Sequence, residues 1–163
     1  MKLTVRQMTL AALLTALTFV LTAFVHVPLS IGYFNLGDII VLFSAIFIHP
    51  IFGAFVGAIG ASLADLYGGY LFFIPFTIGA KALEAIVAGY LFRKIKTPYS
   101  YGALLIGAAL MVATYAVSYL IFDPTGAMLA ATIPFDSLQG LAGATGAALL
   151  YIAIAPHRAR LRL

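Results

Sequence analysis

The sequence predicts an all-α fold, an integral membrane bundle of six transmembrane helices that forms a single domain over residues 1–163. Hydrophobic residues fill 64% of the 163 positions, charged residues only 9%, and the mean hydropathy is +1.12. A soluble domain has about 25% charged residues, so this chain has too few to cover a water-exposed surface. The apolar residues fall in six runs separated by breaks that contain Pro, Gly or Asn, as expected for successive spans.

Each predicted span is an apolar run bounded by turn-forming residues. The six spans are Thr4–Val25, Gly37–Ile48, Ile51–Tyr67, Pro75–Phe92, Tyr101–Ile121 and Ile133–Ala155. A helix needs about 20 apolar residues to cross a bilayer, so the second span is short. We expect it to follow a loop that folds back into the membrane or to be shielded by its neighbours. The stretches "HVPLSIGYFN" and "FDPTGAMLAAT" are interpreted as breaks between spans.

The first and third spans carry small residues at four-residue spacing. Ala12 and Ala16 form such a pair in the first span, and Gly53, Gly57 and Ala61 form a longer row in the third. Small residues allow another helix to approach closely. The row in the third span predicts an internal interface, whereas the pair in the first span fits either internal packing or contact with another protein.

The positions of the charged residues predict the orientation of the bundle. With six spans, eight of the nine basic residues fall on one side: Lys2, Arg6, Arg93, Lys94, Lys96, Arg158, Arg160 and Arg162. Positive residues favour the cytoplasmic side, so both termini are predicted to be cytoplasmic. Four acidic residues fall at or near the opposite, outer ends of spans: Asp38, Asp65, Asp123 and Asp136. The net charge of +4 is therefore a topology signal and does not indicate nucleic-acid binding.

The fourth span contains two charged residues, Lys81 and Glu84. They are three residues apart and share a helix face with Thr77. If the span begins at Pro75, they lie about 9 Å and about 13 Å into the membrane. An isolated charge at such a depth costs at least ~2.5 kcal/mol. Two interpretations stay open: an ion pair, made between them or with Asp65 or Asp136, or a polar floor for a ligand that enters from outside.

Aromatic residues gather near the predicted outer ends of the spans. Tyr33 precedes the second span, Tyr67 and Tyr70 follow the third, and Tyr115 and Tyr119 lie four apart in the fifth. Such rings fit an interfacial belt. They also fit the wall of a small-molecule pocket, in which aromatic side chains surround a few polar groups.

No enzymatic or metal-binding motif stands out. The three histidines are scattered, the chain contains no cysteine, and no HExxH pattern, G-x-S-x-G motif or phosphate-binding loop occurs. The sequence therefore predicts no cofactor and no metal. An intramembrane enzyme that uses Asp65, Lys81 and Glu84, and a self-sufficient small-solute channel, are the alternatives to a binding protein.

The segment "NLGDIIVLFSAIFIHPIFGAFVGAIGASLADLYGGYLFFIPFTIGAKALEAIVAGYL" resembles the substrate-binding S components of energy-coupling factor (ECF) vitamin transporters. The resemblance rests on the order and spacing of these features: Gly37–Asp38, Pro50, Gly53, Gly57, Gly60, Asp65, Gly68–Gly69–Tyr70, Pro75 and Lys81. It implies a subunit of the prokaryotic plasma membrane that binds a vitamin at its outer face. It also implies docking through Ala12 and Ala16 onto a transmembrane T subunit driven by two ATPases, and release of the ligand after the subunit topples in the bilayer.

The resemblance also implies a ligand site built from outer loops and spans four to six. By location, the implied substrate-binding residues are Tyr33, Asn35, Tyr67, Tyr70, Lys81, Glu84, Tyr115, Tyr119, Asp136 and Gln139. The N-terminal histidine segment of the metal-carrying relatives is missing from "MKLTVR". We expect a small ring-containing vitamin, with vitamin B6 compounds or a pyrimidine precursor of thiamine favoured and riboflavin, pantothenate or a queuosine precursor also open.

Overall fold

The computed structural model describes residues 4–28 and 33–157 and confirms the predicted all-α class. The six α-helices are α1 Val5–Ala23, α2 Gly37–Phe47, α3 Pro50–Gly68, α4 Ile74–Lys94, α5 Gly102–Phe122 and α6 Ala127–Ile154. Two short strands, β1 His26–Pro28 and β2 Tyr33–Asn35, pair antiparallel between α1 and α2. Single 3₁₀ turns cover Leu71–Phe73, Tyr99–Tyr101 and Ala155–His157.

Five segments of the described chain are long and apolar enough to cross a membrane. They are Val5–Ala23, Pro50–Gly68, Leu71–Lys94, Tyr99–Phe122 and Ala127–Ile154. The remaining helix, α2, has only 11 residues. The shortness of the second apolar segment, expected from the sequence, is therefore a real feature of the fold.

Helix α2 lies in the middle of the bundle and packs against α1, α3, α4 and α6. All of its residues except Ile39 are buried, and Val41 and Leu42 have no exposed surface. As a helix, α2 satisfies its backbone hydrogen bonds within itself. Because it is covered on every side, its apolar side chains contact protein. The neighbouring helices thus provide the shielding that so short a helix needs in a bilayer.

Glycines in α3 bring neighbouring helices into close contact. A Cβ added at Gly53 would lie 2.6 Å from Ala45 of α2, and one at Gly57 would lie 2.8 Å from Val41. At Gly60 it would lie 2.8 Å from Thr18 Cβ in α1. These distances are shorter than any normal carbon contact, so larger residues would push the helices apart. The internal interface predicted for the third span is confirmed.

The structure corrects the sequence-based start of the last helix. The sequence predicts that the break after the fifth span continues past Gly126, but α6 begins at Ala127 and continues through Pro134. The Asp123 carboxylate accepts hydrogen bonds from the backbone N–H groups of Thr125 (3.0 Å) and Met128 (2.8 Å), which satisfies donors at the helix start. Ala, Met and Leu are strong helix formers. Asp136 consequently lies about two and a half turns inside α6 and not at its outer end.

The break "HVPLSIGYFN" also has more structure than the sequence indicates. Its two ends form the β1–β2 pair, in which His26 lies opposite Asn35 and Val27 lies opposite Phe34. Tyr33 and Asn35 are thereby held by backbone pairing at the end of the bundle where α1 finishes and α2 begins. This placement makes both side chains part of the site described next.

Candidate ligand pocket

A pocket lies at the end of the bundle where α1, α3 and α5 finish and α4 and α6 begin. It contains about 610 Å³ of space between its walls, including its open mouth. The lining residues are Thr22, Tyr33, Asn35, Ala61, Asp65, Tyr70, Phe73, Thr77, Lys81, Tyr115, Tyr119, Thr132, Asp136 and Gln139. Aromatic rings and converging polar groups in one cleft are typical of a small-molecule site.

Lys81 lies at the base of this pocket and is only 3% exposed. Its ammonium group donates a hydrogen bond to the Asp38 carboxylate, and its Nζ lies 3.8 Å from Glu84 Oε2. It also lies 5.6 Å from the centre of the Tyr115 ring, within the range of a cation–π contact. A buried ammonium group of this kind is tolerated because opposite charge and an aromatic face replace its water.

A chain of amides extends this polar base toward the hairpin. Gln139 Nε2 donates to Asp38 Oδ2 (2.8 Å), and Gln139 Oε1 accepts from both the backbone N and the Nδ2 of Asn35 (3.0 Å each). Asn35 Oδ1 in turn accepts from the backbone N of Gly37 (2.8 Å) and from the Thr22 hydroxyl (3.3 Å). The bonds connect α1, α2, α6 and the hairpin, so the base of the pocket is built from four parts of the fold.

Hydroxyl and carboxyl groups pair along the walls. The Asp65 carboxylate accepts from the Tyr33 hydroxyl (2.7 Å) and from the Thr77 hydroxyl (2.6 Å). Tyr115 donates to the Thr77 hydroxyl oxygen (3.2 Å), and Tyr119 donates to Asp136 Oδ2 (2.9 Å). Burial and the nearby Asp65 charge raise the pKa of Tyr33, a residue of the hairpin, so its hydroxyl stays protonated and able to donate.

Aromatic rings form the apolar part of the wall. The Tyr33 and Tyr70 rings have centres 5.4 Å apart, the Tyr115 and Tyr119 rings stack at 6.3 Å, and Phe73 meets Tyr119 edge-on at 6.1 Å. Rings from the hairpin, from the α3–α4 connection and from α5 therefore surround one space. They offer flat apolar faces to a planar ligand.

Eight of the ten residues expected to bind substrate line this pocket: Tyr33, Asn35, Tyr70, Lys81, Tyr115, Tyr119, Asp136 and Gln139. Two do not. Tyr67 is 66% exposed, and its ring packs against Phe19 and Phe24 with centres 6.2 and 5.2 Å away. Glu84 has no exposed surface and lies one turn below Lys81, outside the lining.

The main residue that sequence reasoning missed is Asp38. The sequence offers Glu84, Asp65 or Asp136 as partners for Lys81, but the ammonium group bonds to Asp38 from the central helix α2. A signal is present, because Asp38 is a carboxylate at the start of an apolar span and Lys81 is a basic residue well inside another. Asp65, Thr22, Thr77 and Thr132 also line the pocket, although the sequence did not assign them to substrate binding, and Phe73 joins them from the connection between α3 and α4.

Within residues 4–28 and 33–157, no group of three or more His, Asp or Glu side chains is placed to hold a metal ion. The carboxylates of the pocket are engaged instead by the Lys81 ammonium and by hydroxyl groups, as described above.

The fold of this bundle matches that of an ECF transporter S component of known structure. A solved structure titled "Structure and mechanism of the S component of a bacterial ECF transporter" aligns with 92% of this chain and 95% of its own, with a TM-score of 0.72. Since the two sequences are 21% identical, this likeness shows the fold alone.

The family model "ECF-type riboflavin transporter, S component" matches residues 2–156. The chain belongs to this family, and the resemblance seen in the sequence is confirmed. A protein of Pyrococcus woesei, described as "Uncharacterized protein in gap 3'region", is 36% identical over 124 residues, which cover 73% of this chain and 80% of that protein.

Family membership sets the general class of function. S components are vitamin-binding transport subunits of the membrane and not enzymes, so the chain is a transport protein with several membrane-spanning helices. The intramembrane enzyme considered from Asp65, Lys81 and Glu84 is therefore set aside.

Proposed function

We propose that this chain is the substrate-specificity subunit of an ECF importer in the cell membrane of a prokaryote. In this proposal it crosses the bilayer six times, with α2 as the short span, and both termini are cytoplasmic. It captures a ring-containing vitamin from the outer face and delivers it inward by toppling in complex with a T subunit and two ATPases. The observation that carries the proposal is the buried Lys81 ammonium at the base of an aromatic pocket that opens at one end of the bundle.

The distribution of positive charge supports an outward-facing pocket. Arg6 lies at the start of α1, and Arg93, Lys94 and Lys96 lie at or just after the end of α4. All four are at the end of the bundle opposite the pocket. Positive residues favour the cytoplasmic side, so the pocket would face outward. The remaining basic residues used in the sequence prediction lie outside the described residues: Lys2, Arg158, Arg160 and Arg162.

Riboflavin becomes the first ligand to test because the family model carries its name. Its flat tricyclic ring could stack on Tyr115, Tyr119 or Tyr33, and its hydroxylated tail could donate hydrogen bonds to Asp65 and Asp136. The vitamin B6 compounds and the thiamine pyrimidine favoured from the sequence have the same combination of a ring and donor groups. They stay in the test, together with pantothenate and a queuosine precursor.

The proposal assigns ligand contact to the eight expected residues that line the pocket. The Lys81 ammonium and the Gln139 amide would meet polar atoms of the ring, while the tyrosines would supply stacking faces. Tyr67 and Glu84 are not assigned direct contact, because Tyr67 faces outward and Glu84 lies behind Lys81.

Titration of the purified protein in detergent tests this function. Riboflavin fluorescence is expected to fall as the ring stacks on tyrosine, with saturation at one ligand per chain. Lys81→Met should weaken binding by at least about tenfold, since one charge-assisted hydrogen bond contributes about 1.5–3 kcal/mol. Lys96→Met is the matched control, because Lys96 is exposed at the other end of the bundle. Full affinity in Lys81→Met would remove Lys81 from the site.

The docking part of the proposal concerns the face of α1. Ala12 and Ala16 are both exposed in the described bundle, on a helix whose other side packs against α3. Two exposed small residues four apart would let a helix of the T subunit approach closely. Co-purification of the chain with a T subunit and two ATPases tests this partnership directly.

A further inference from the structure

The charges around the pocket are unequal. Asp65 and Asp136 line it, and Asp38 and Glu84 lie against its base, whereas Lys81 is the only basic side chain among the described lining residues. Four carboxyl groups therefore face one ammonium group. That ammonium is already bonded to Asp38 and lies 3.8 Å from Glu84.

The hydrogen-bond polarity of the pocket is just as one-sided. A hydroxyl group has one proton to donate and two lone pairs that accept. Almost every hydroxyl of the described lining gives its proton to another protein atom: Tyr33, Thr77, Tyr115, Tyr119, Thr22 and Thr132. Tyr70 is the exception: its backbone is hydrogen-bonded, but its hydroxyl donates to no atom in the described part of the chain. A ligand thus meets mainly acceptor atoms.

Asp136 leaves an acceptor open. Its Oδ2 accepts from Tyr119, and no donor among residues 4–28 and 33–157 bonds to its Oδ1. Because Asp136 lines the pocket, this oxygen can accept a hydrogen bond from a molecule in the pocket. The missing donor is one that a ligand can bring.

From these observations we propose that the pocket selects by charge and by hydrogen-bond polarity. It binds neutral or cationic ring compounds that donate hydrogen bonds to Asp65 and Asp136, and it rejects the phosphate esters of the same compounds. A phosphate group is an anion near neutral pH and brings strong acceptors. It would lie beside carboxylates and hydroxyl lone pairs, and the charge of the one ammonium group is already balanced by Asp38 and Glu84. This inference rests on the proposed function and adds the class of ligand to it.

Matched pairs of ligands test the inference with the full chain in detergent. The pairs are riboflavin with flavin mononucleotide, pyridoxine with pyridoxine 5′-phosphate, and thiamine with thiamine monophosphate. Binding is measured by isothermal titration at pH 7.5 and 0.15 M salt. In whichever pair binds, the unphosphorylated member should bind at least about 30-fold more tightly, because repulsion between charges a few ångströms apart in a partly buried site is large.

The carboxylate Asp136 should be responsible for a share of this preference. Asp136→Asn removes one negative charge and keeps the size of the side chain, so it should reduce the preference by roughly fivefold or more. Asp123→Asn is the matched control, since it removes the same charge from the α5–α6 connection outside the lining, and it should leave the preference unchanged.

Each outcome bears on a different claim. Equal or tighter binding of a phosphorylated member overturns the charge selection but leaves the vitamin-binding function standing. An unchanged preference in Asp136→Asn overturns the assignment to the pocket carboxylates. If no member of any pair binds but pantothenate or the queuosine precursor does, the inference is overturned and the proposed function stands. If no compound of the whole panel binds, the proposed function fails and the inference falls with it.

Discussion

The ion pair at the centre of the bundle gives the sharpest prediction about stability. Asp38 has 1% of its surface exposed and Lys81 has 3%, and the Asp38 carboxylate also accepts from Gln139 Nε2 at 2.8 Å. Asp38→Asn keeps the size and one acceptor of the side chain but removes its negative charge. Lys81 would then be a buried cation without its closest counter-charge.

The expected cost follows from the surroundings of the ammonium group. Removal of one partner from a buried ion pair typically costs about 3–5 kcal/mol. Because Glu84 lies 3.8 Å from Lys81 Nζ and could take over part of the pairing, we expect about 3 kcal/mol, the lower end of that range. For a chain of this length the melting temperature should fall by roughly 6–12 °C.

Glu84→Gln should behave in the opposite way. Neither oxygen of Glu84 has a hydrogen-bond partner among the described residues, and with both carboxylates ionised the trio has one excess negative charge. Glu84→Gln leaves a balanced Lys81–Asp38 pair, so the melting temperature should stay within about 3 °C of the parent value or rise.

These changes are measured by heating the protein in detergent and using size-exclusion chromatography to determine the fraction that stays folded at each temperature. The triple variant Asp38→Asn, Lys81→Met and Glu84→Gln removes all three charges of the trio and should recover much of the loss, because a neutral core replaces an unpaired charge. If Asp38→Asn melts at the parent temperature, or if Glu84→Gln is damaged as much as Asp38→Asn, the view of Asp38 as the main counter-charge of Lys81 is refuted.

Three further predictions concern docking, helix packing and pH. Ala16→Leu should lower co-purification with the T subunit at least about tenfold while ligand binding persists, because the larger side chain would hold α1 away from a helix of the T subunit. Ala109→Leu, at an exposed position of α5, is the control. Normal assembly of the Ala16→Leu variant would count against α1 as the docking face. Gly60→Ala should lower the free energy of unfolding by about 1–3 kcal/mol. Gly79→Ala is the control, because its added Cβ meets open space, and it should leave the stability unchanged. Equal melting temperatures for the two variants would contradict the close contact between α1 and α3. His49 accepts a bond from Ile51 N, and burial together with the Arg93 charge lowers its pKa below the ordinary 6.5. Since the unfolded chain binds the proton more readily, stability should fall as pH drops below about 6.5. His49→Asn, which keeps a helix-capping side chain, should remove this pH dependence. If the variant and the parent lose stability in the same way on acidification, His49 is not the group responsible.

The helices can be predicted from the sequence because the bilayer imposes a simple rule. Long apolar runs have to be helical where backbone groups cannot meet water, and five such helices are found. The start of α6 escapes this rule. "AMLAATIP" directly follows the turn-forming residues "DPTG" and ends in a proline, which suggests a loop, whereas capping by Asp123 and the helix-forming Ala, Met and Leu residues let the helix continue through Pro134.

The pocket is predictable in part for a different reason. Charged residues deep in a span need partners, so the sequence alone is enough to mark Lys81 as a candidate site residue. The sequence marks Asp38 as one of several candidate partners but does not single it out, because Asp38 is 43 residues away and reaches Lys81 only through the central position of α2. The helical spacing of Lys81 and Glu84 places them on one face but cannot show that one lines the cavity and the other lies beneath it.

The central claim is that a vitamin binds in the pocket above Lys81, between the tyrosine rings of the hairpin and α5. A density map of the protein saturated with riboflavin, or with whichever compound of the panel binds most tightly, tests this claim most directly. We expect a ring system in contact with Tyr115 or Tyr119, with a polar edge within hydrogen-bond distance of Lys81 or Gln139. Ligand density anywhere else on the bundle, with this pocket empty, would contradict the claim.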